Sequence, residues 1–516
     1  MSKKLLFNNL GGPKPGPTPS VMLIASYTTN IANVNMIEFP SGFEYTKTEV
    51  QNTADTSRYD VTITAKSIPD SLDFHYTRVD YVQEVRVLDA NSIANVISGS
   101  KGLTGSPACG NNVVNMYNAY NRCQNLTGPP VCGPNVIDMG RAYYYCTKLT
   151  GSPVCGDNVT NMSMTYHDCK QLTGHPVCGN KVENMETTYY NCSNLTGQPV
   201  CGNKVTDMSA TYRGCRNIPG PPVCGDNVKD MYETYYDCYN LTGSPVCGNK
   251  VANMAATYYY CHNLTGSPVC GDNVTDMRNT YHNCYNLTGS PVCGDNVVNM
   301  AATYRGCTNL TGQPVCGPNV TNMYETYENC SKLTGPPVCG DNVMDFSETY
   351  FKCQKLTGQP VCGNNVVNMA NTYHSCINLT GSPVCGDKVV NMYQTYYNCY
   401  NLTGSPVCRN NVTSMGYTYY CCYNLTGQPV CGDNVVAMLY AYAGCNNLTG
   451  SPVCGPNVTG MQCTYESCKN LTGQPVCGDK VTNMFRTYYY CTNITDPAVC
   501  GPNVNCMAST YYGCSN

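Results

Sequence analysis

The chain has 516 residues, only 12% of them charged, a formal net charge of −4, 44 Tyr, 39 Cys and no Trp. So sparse and slightly acidic a charge offers nothing to a phosphate backbone, and nucleic acid is not expected as a partner. No apolar run approaches the ~18 residues of a membrane span, so none is expected.

The start, Met1-Ser-Lys-Lys-Leu-Leu-Phe, lacks the apolar stretch of a secretory signal, and export by the general secretory route is not expected. Gly11-Gly-Pro-Lys-Pro-Gly-Pro-Thr-Pro19 forms neither helix nor sheet, so residues 1–20 read as a leader or attachment peptide. Residues 21–89 alternate apolar and polar side chains, as in Tyr59-Asp-Val61-Thr-Ile63-Thr, which predicts a small β-rich domain. Residues 90–122 read as N-terminal capping coils, with Ile93, Ile97, Ser100 and Leu103 in the Met, Tyr, Cys and Leu positions of a degenerate repeat.

From Cys109 to Cys514 the cysteines alternate at 14 and 9 residues, a period of 23 without insertion or deletion. Cys123, Cys146 and Cys169 begin one comb; Cys132, Cys155 and Cys178 belong to the other. Self-similarity at this period marks a stacked solenoid, here residues 123–516. In the coil opening at Cys146 the fixed apolar residues are Leu149, Val154, Val159, Met162 and Tyr166. Leu-Thr-Gly-x-Pro-Val-Cys predicts a strand of a few residues, cut short by Pro and Gly. Val159, Met162 and Tyr166, spaced by three and four, predict an apolar stripe on a short helix. The predicted fold is thus an α/β repeat solenoid of 23-residue coils, each a short strand plus a short helix, preceded by a small β domain. Stacking would set Leu149 on Leu172 and Tyr166 on Tyr189. The array stops two residues after Cys514 without a capping sequence, so the last coil is expected to tolerate water or to be covered by a partner.

Val159-Thr-Asn-Met162, followed by Tyr166, Cys169 and Leu172, resembles the BspA-like leucine-rich repeats of bacterial and protist surface proteins and their mycoplasma lipoprotein relatives. The resemblance covers Ser100 to Asn516. It implies a leucine-rich-repeat solenoid, a role in adhesion or host contact, and no catalytic residue. Tyr stands where that family usually has Phe, and Pro-Val-Cys-Gly replaces its usual strand core. Residues 1–20 resemble the leading peptides of some gut-phage virion proteins, which implies attachment to other virion proteins through the N-terminal region.

Equivalent cysteines of adjacent coils come within disulfide distance, yet their side chains point the same way. With no export signal, two reduced ladders packed as small hydrophobes are expected. The odd count leaves at least one cysteine free or bonded to another chain, and Cys421, Cys463 and Cys506 fall off the combs. There is no C-x-x-C, and the six histidines (His75, His167, His175, His262, His282, His374) share no repeated position, so neither a metal nor another cofactor is expected.

Tyrosines at variable positions beside the first comb are the candidate binding residues. They are Tyr144, Tyr145, Tyr190, Tyr236, Tyr239, Tyr259 and Tyr260, and further along Tyr285, Tyr397, Tyr400, Tyr420, Tyr423, Tyr489 and Tyr490. Two readings stand: flat apolar faces with a hydroxyl for sugars or proteins, or lateral packing between coils. No G-x-S-x-G, H-E-x-x-H or P-loop pattern occurs, and no enzyme is expected. The expected protein is a non-enzymatic, fibre-type phage virion appendage on the virion surface, touching a host-surface protein or glycan. The alternatives are a bacterial or protist cell-surface adhesin and a self-assembling structural filament; a homo-oligomer stays open.

Overall fold

The computed structural model describes residues 21–74, 78–497 and 499–515; the leader expected at 1–20 and His75 lie outside them. The chain forms two compact units: residues up to Thr150 with Gly156–Val159, and Gly151–Cys155 with Thr160–Asn516.

The first unit contains β1 (Met22–Thr29), β2 (Ile37–Glu38), β3 (Tyr45–Gln51), β4 (Tyr59–Ala65), β5 (Asp73–Phe74), a 3-10 turn at Val79–Tyr81, and β6 (Val82–Leu88). The four longer strands form one antiparallel sheet in the order β3-β4-β1-β6, and β2 pairs with β5. The alternation in Tyr59–Thr64 is that of β4, whose Val61 and Ile63 are buried beside Ile24, Tyr27 and Leu88. The repeat ladder grows out of this sheet. Parallel bridges run Ser71–Ser92–Asn115–Asp138, and the amides of Thr104 and Gly110 donate to Gln83 and Leu88 of β6. Ile93, Ile97, Ser100 and Leu103 are fully buried, and the Ser100 hydroxyl is satisfied by the Val79 carbonyl at 2.8 Å.

In the second unit every coil repeats one backbone pattern. The amides of Met185, Thr187, Tyr189 and Asn191 donate to Asp207, Ser209, Thr211 and Arg213 of the next coil at 3.0, 2.8, 2.9 and 2.7 Å. The amides between them, those of Thr188, Tyr190 and Cys192, close turns onto Met185, Thr187 and Tyr189 of their own coil. Thr187 and Asn191 must therefore take the left-handed region, with φ of +49° and +57°. That conformation costs an ordinary residue about 1–2 kcal/mol, and Asn, Asp and Gly bear it best. The position two after the fixed Tyr carries those types in Asp168, Asn191, Gly214 and Asp237.

This path corrects two expectations. The described residues contain no α-helix, so the predicted short helix is a run of turns. Val159, Met162 and Tyr166 are nonetheless buried, because successive three-residue turns bring the same spacing inward. A helix would need all the amides inside the coil, whereas every second one is committed to the next coil. The pairing strand is also displaced: the bridges run Asn161–Asn184–Asp207–Asp230, just before Met, and not through Leu-Thr-Gly-x-Pro-Val-Cys. There, Pro lacks a donor and Gly174 turns the chain at φ +80°; Thr173 makes a coil-to-coil bond, onto Gly151 at 2.9 Å.

The core is a set of stacked columns. Tyr258 lies 5.6 Å from Tyr235 and 5.5 Å from Tyr281, ring over ring, fully buried. Its hydroxyl donates to the Val246 carbonyl (2.7 Å) and accepts the Val246 amide (3.0 Å), tying the Pro-Val-Cys side of the coil to the Met-Tyr side. Thr257, also buried, points its hydroxyl at the Met254 and Met231 carbonyls, both at 2.8 Å, which explains the fixed Thr before Tyr. All cysteines are free thiols. First-comb thiols up to Cys491 are buried, and in the second unit they donate to the Tyr carbonyl of the preceding coil, as Cys192 does to Tyr166 at 2.9 Å. Most second-comb thiols are half-buried, with Cys385 buried and Cys500 exposed, and they turn onto the carbonyl of the next residue, as in Cys178 to Gly179 at 3.6 Å. Burial raises both sets, Cys178 to about 11 and Cys192 higher still.

Two outcomes follow. Tyr258→Phe leaves the Val246 amide and carbonyl without their hydroxyl and should cost about 1–3 kcal/mol in denaturant unfolding, against almost nothing for Tyr285→Phe on the surface. Iodoacetamide on the native protein should label the exposed Cys500 first and spare the buried comb until unfolding, as read by mass spectrometry.

Candidate binding surface

Because the fixed positions are buried, chemical variety falls on the outward positions, among them three columns one, two and four residues after the fixed Tyr. The first of these stacks in long stretches. His167 lies on Tyr190 at 4.3 Å, the Arg213 guanidinium sits 5.4 Å from Tyr190 and 4.4 Å from Tyr236, and Tyr236 lies on Tyr259 at 4.5 Å. His282 continues it at 4.5 Å from Tyr259. A second stretch runs Phe351–His374–Tyr397–Tyr420 at 4.5, 4.4 and 4.7 Å. Three histidines thus do share a repeated position, which comparing residue types alone conceals.

The structure sorts the fourteen candidate tyrosines among these columns. Tyr190, Tyr236, Tyr259, Tyr397, Tyr420 and Tyr489 belong to the first column, and Tyr144 holds the same position in the N-terminal unit. Tyr145, Tyr260 and Tyr490 take the left-handed position, at φ near +60°. Tyr260 and Tyr490 set their rings edge-on to Tyr259 and Tyr489, each at 4.5 Å, and Tyr145 is tilted 4.8 Å from Tyr144. Tyr239, Tyr285, Tyr400 and Tyr423 form the third column, where His262 bridges Tyr239 and Tyr285 at 5.0 and 4.7 Å and Tyr400 lies on Tyr423 at 5.2 Å. Rings inside such stacks have both faces covered by neighbours and offer solvent their edges and hydroxyls. Packing between coils therefore accounts for much of this aromatic supply.

Charged members went unnoticed in the sequence. Arg213 pairs with Glu233, and Arg305 reaches Glu325 and Glu328, both at 2.8 Å. The Glu325, Glu328 and Glu348 carboxylates lie within 4.8 Å of one another, but the Arg305 guanidinium already neutralises part of that charge. Burial lifts Glu328 to about 6, against the pull of Arg305. Exposed Tyr232, Tyr324 and Tyr393, each directly after the fixed Met, were also missed; reading the chain by column would have found them.

The first column is interrupted at Ala443. With Gly444 beside it, the small side chain opens a cleft of about 330 Å³ walled by Tyr420, Tyr423, Tyr440 and Glu466. On the Ala443 side no ring stacks face-on on Tyr420; the Tyr440 ring meets it edge-on at 6.0 Å. Asn446 and Glu466 line this region, with Glu466 Oε1 held by Arg486 at 2.8 Å. Aromatic walls beside polar side chains suit a small ligand that carries hydroxyls.

No known family description and no curated protein matches the chain. Two solved structures are similar. One is a leucine-rich repeat protein from Bacteroides ovatus ATCC 8483, 14% identical, covering 65% of this chain and 91% of that one, with a TM-score of 0.36. The other is a leucine rich cell surface protein from Faecalibacterium prausnitzii A2-165, 11% identical, covering 70% of this chain and 95% of that one, with a TM-score of 0.34. No helix is long and apolar enough to cross a membrane among the described residues.

Burial depresses His282 and His374 to about 4, with Arg305 and Lys352 adding to it respectively. An unfolded histidine titrates near 6.5. Between those values the unfolded chain binds more protons, so these residues make stability fall as pH drops from about 6.5 towards 4. Glu328, raised when folded, acts in the opposite sense between about 6 and its ordinary value, so His374 is the cleaner probe. His374→Asn, a residue already at this position in Asn121, should shrink the loss of melting temperature between pH 7 and pH 4.5.

Proposed function

We propose that this protein is a non-enzymatic surface-contact protein whose buried columns make a rigid support and whose variable columns meet a host-surface protein or glycan. The observation that carries the reading is the cleft at Ala443, where the first column's own stacking is broken and Tyr420, Tyr423 and Tyr440 wall a space that Glu466 also lines. In its finer form the protein is a fibre-type virion appendage, attached to other virion proteins by residues 1–20. A bacterial or protist cell-surface adhesin is the second form, favoured by the Val159-to-Leu172 pattern quoted above. Both need the same contact surface.

The test is binding of the labelled full chain to an array of glycans and to intact bacterial cells. Ala443→Tyr fills the cleft with a residue the column accepts elsewhere, and should weaken binding tenfold or more at unchanged melting temperature. Tyr420→Ala should weaken it similarly, as expected for an aromatic anchor. Binding unchanged by both substitutions would remove the cleft from the reading.

A further inference from the structure

We infer that a neutral linear polysaccharide lies along the column directly after the fixed Met, held by single aromatic rings laid flat on the coil surface. The inference rests on the glycan-contact reading above and adds a surface apart from the Ala443 cleft. Tyr232, Tyr324, Tyr393 and Phe485 are the aromatic members of this column in the second unit, and they are 38%, 37%, 39% and 38% exposed.

Unlike the stacked columns, this one never sets two rings in succession. The next residue along the column is Ala255, Ser347, Gly416 and Ala508 respectively. Ala255, Ser347 and Gly416 are buried, whereas Ala301 and Ala370, which follow no ring, are only half-buried. The ring of the coil before therefore covers the small residue. Gly416 shows the contact directly, since a Cβ there would come within 3.1 Å of the Tyr393 ring. A ring laid down in this way keeps one face on the protein and turns the other to solvent. Among the described residues no ring packs against Tyr232, Tyr324 or Phe485, and Tyr417 meets Tyr393 edge-on at 6.1 Å.

The backbone beneath each ring is held on both sides. The amides of Tyr232, Tyr324, Tyr393 and Phe485 donate to the Oδ1 of Asp230, Asn322, Asn391 and Asn483, at 2.7, 2.9, 3.0 and 2.9 Å. The Tyr232, Tyr324 and Tyr393 carbonyls accept the amides of Ala210, Ala302 and Asn371 from the coil before, at 2.7, 2.7 and 2.9 Å. Platforms fixed in this way lose little freedom when a ligand settles on them. The Asn and Asp side chains form a polar column alongside. Half-buried Asn322, Asn391 and Asn483 use their Oδ1 for the ring residue, and their Nδ2 groups have no partner among the described residues.

Three features select the occupant. A pyranose presents aliphatic C–H groups on its ring face and hydroxyls at its rim, which a flat exposed ring and a planar amide answer in turn. The rings stand singly, four, three and four coils apart, and not as the contiguous apolar core that a protein partner buries. At ~4.8 Å per coil those gaps are roughly 19, 14 and 19 Å, so one ligand reaches several rings only as an extended polymer. A polysaccharide advances per sugar by about as much as the stack does per coil, which keeps it in step with the platforms. Charge then sets the class. From Asp207 to Phe485 the two columns hold four Asp and a single base, Arg278, which is paired with Asp276 at 3.2 Å, so an acidic polymer is repelled.

The test is electrophoresis of the full chain through native gels cast with mixed-linkage β-glucan, glucomannan or dextran, and with acidic alginate. At least one neutral polymer should retard the protein and alginate should not. Tyr232→Ala with Tyr324→Ala should weaken retardation tenfold or more at unchanged melting temperature, since the column already accepts Ala255 and Ala301. Ser347→Tyr should stand the Tyr324 ring up into a stack, and so weaken binding although it adds an aromatic side chain. Ala443→Tyr should leave retardation unchanged. No retardation by any neutral polymer, equal retardation by alginate, indifference to the tyrosine pair, or stronger binding by Ser347→Tyr would each overturn the inference. Retardation lost through Ala443→Tyr but not through the tyrosine pair would overturn it while leaving the cleft reading in place.

Discussion

Everything in the repeat depends on how the backbone amides are divided. Between the fixed Met and the first-comb Cys, every second N–H crosses to the next coil and every other one closes a turn at home. A buried amide without an acceptor costs about 1–3 kcal/mol, so the division has to be complete. It holds the chain in the left-handed region twice per coil, and that strain is borne by a ladder that satisfies four amides at a time. Side chains complete the same accounting. The buried Thr hydroxyl, the Tyr hydroxyl and the first-comb thiol each meet a backbone carbonyl, and those of Met231 and Tyr166 accept a turn amide as well.

The period, the inward residues and the degenerate first coil were legible because burial demands the same apolar residue at the same point of every coil. Leu149, Val159, Met162 and Tyr166 are buried as their recurrence implied. The helix was not legible, because a run of three-residue turns and an α-helix both return an apolar side chain every three or four positions. The discriminating signal lay in Asp168, Asn191, Gly214 and Asp237, types that tolerate positive φ at a position read as merely variable. The strand was misplaced for a related reason. Pro-Val-Cys looks extended, but the pairing depends on donors, and the amides flanking Asn161, Asn184 and Asp207, such as those of Met162, Glu183, Met185 and Thr206, supply them where proline has none.

The surface obeys the same geometry in a weaker form. Stacking at one coil per step sets aromatic rings within contact of their equivalents, so Tyr236, Tyr259 and His282 cover one another and only edges face water. Arg213 and Arg305 enter the same column because a guanidinium is as flat as a ring. Exposed chemistry therefore concentrates where the column is broken, as at Ala443. The candidate tyrosines were found by residue type; their neighbours in the stack became visible only by position.

Amide hydrogen exchange, resolved to half-coils by mass spectrometry, tests this most directly. Peptides running from the fixed Val through Met and Tyr to the first-comb Cys should exchange slowly, and alike in all interior coils, while Leu-Thr-Gly-x-Pro-Val-Cys peptides exchange much faster. Equal protection in both halves, or stronger protection in the Pro-Val-Cys half, would contradict the division of amides on which the fold is built.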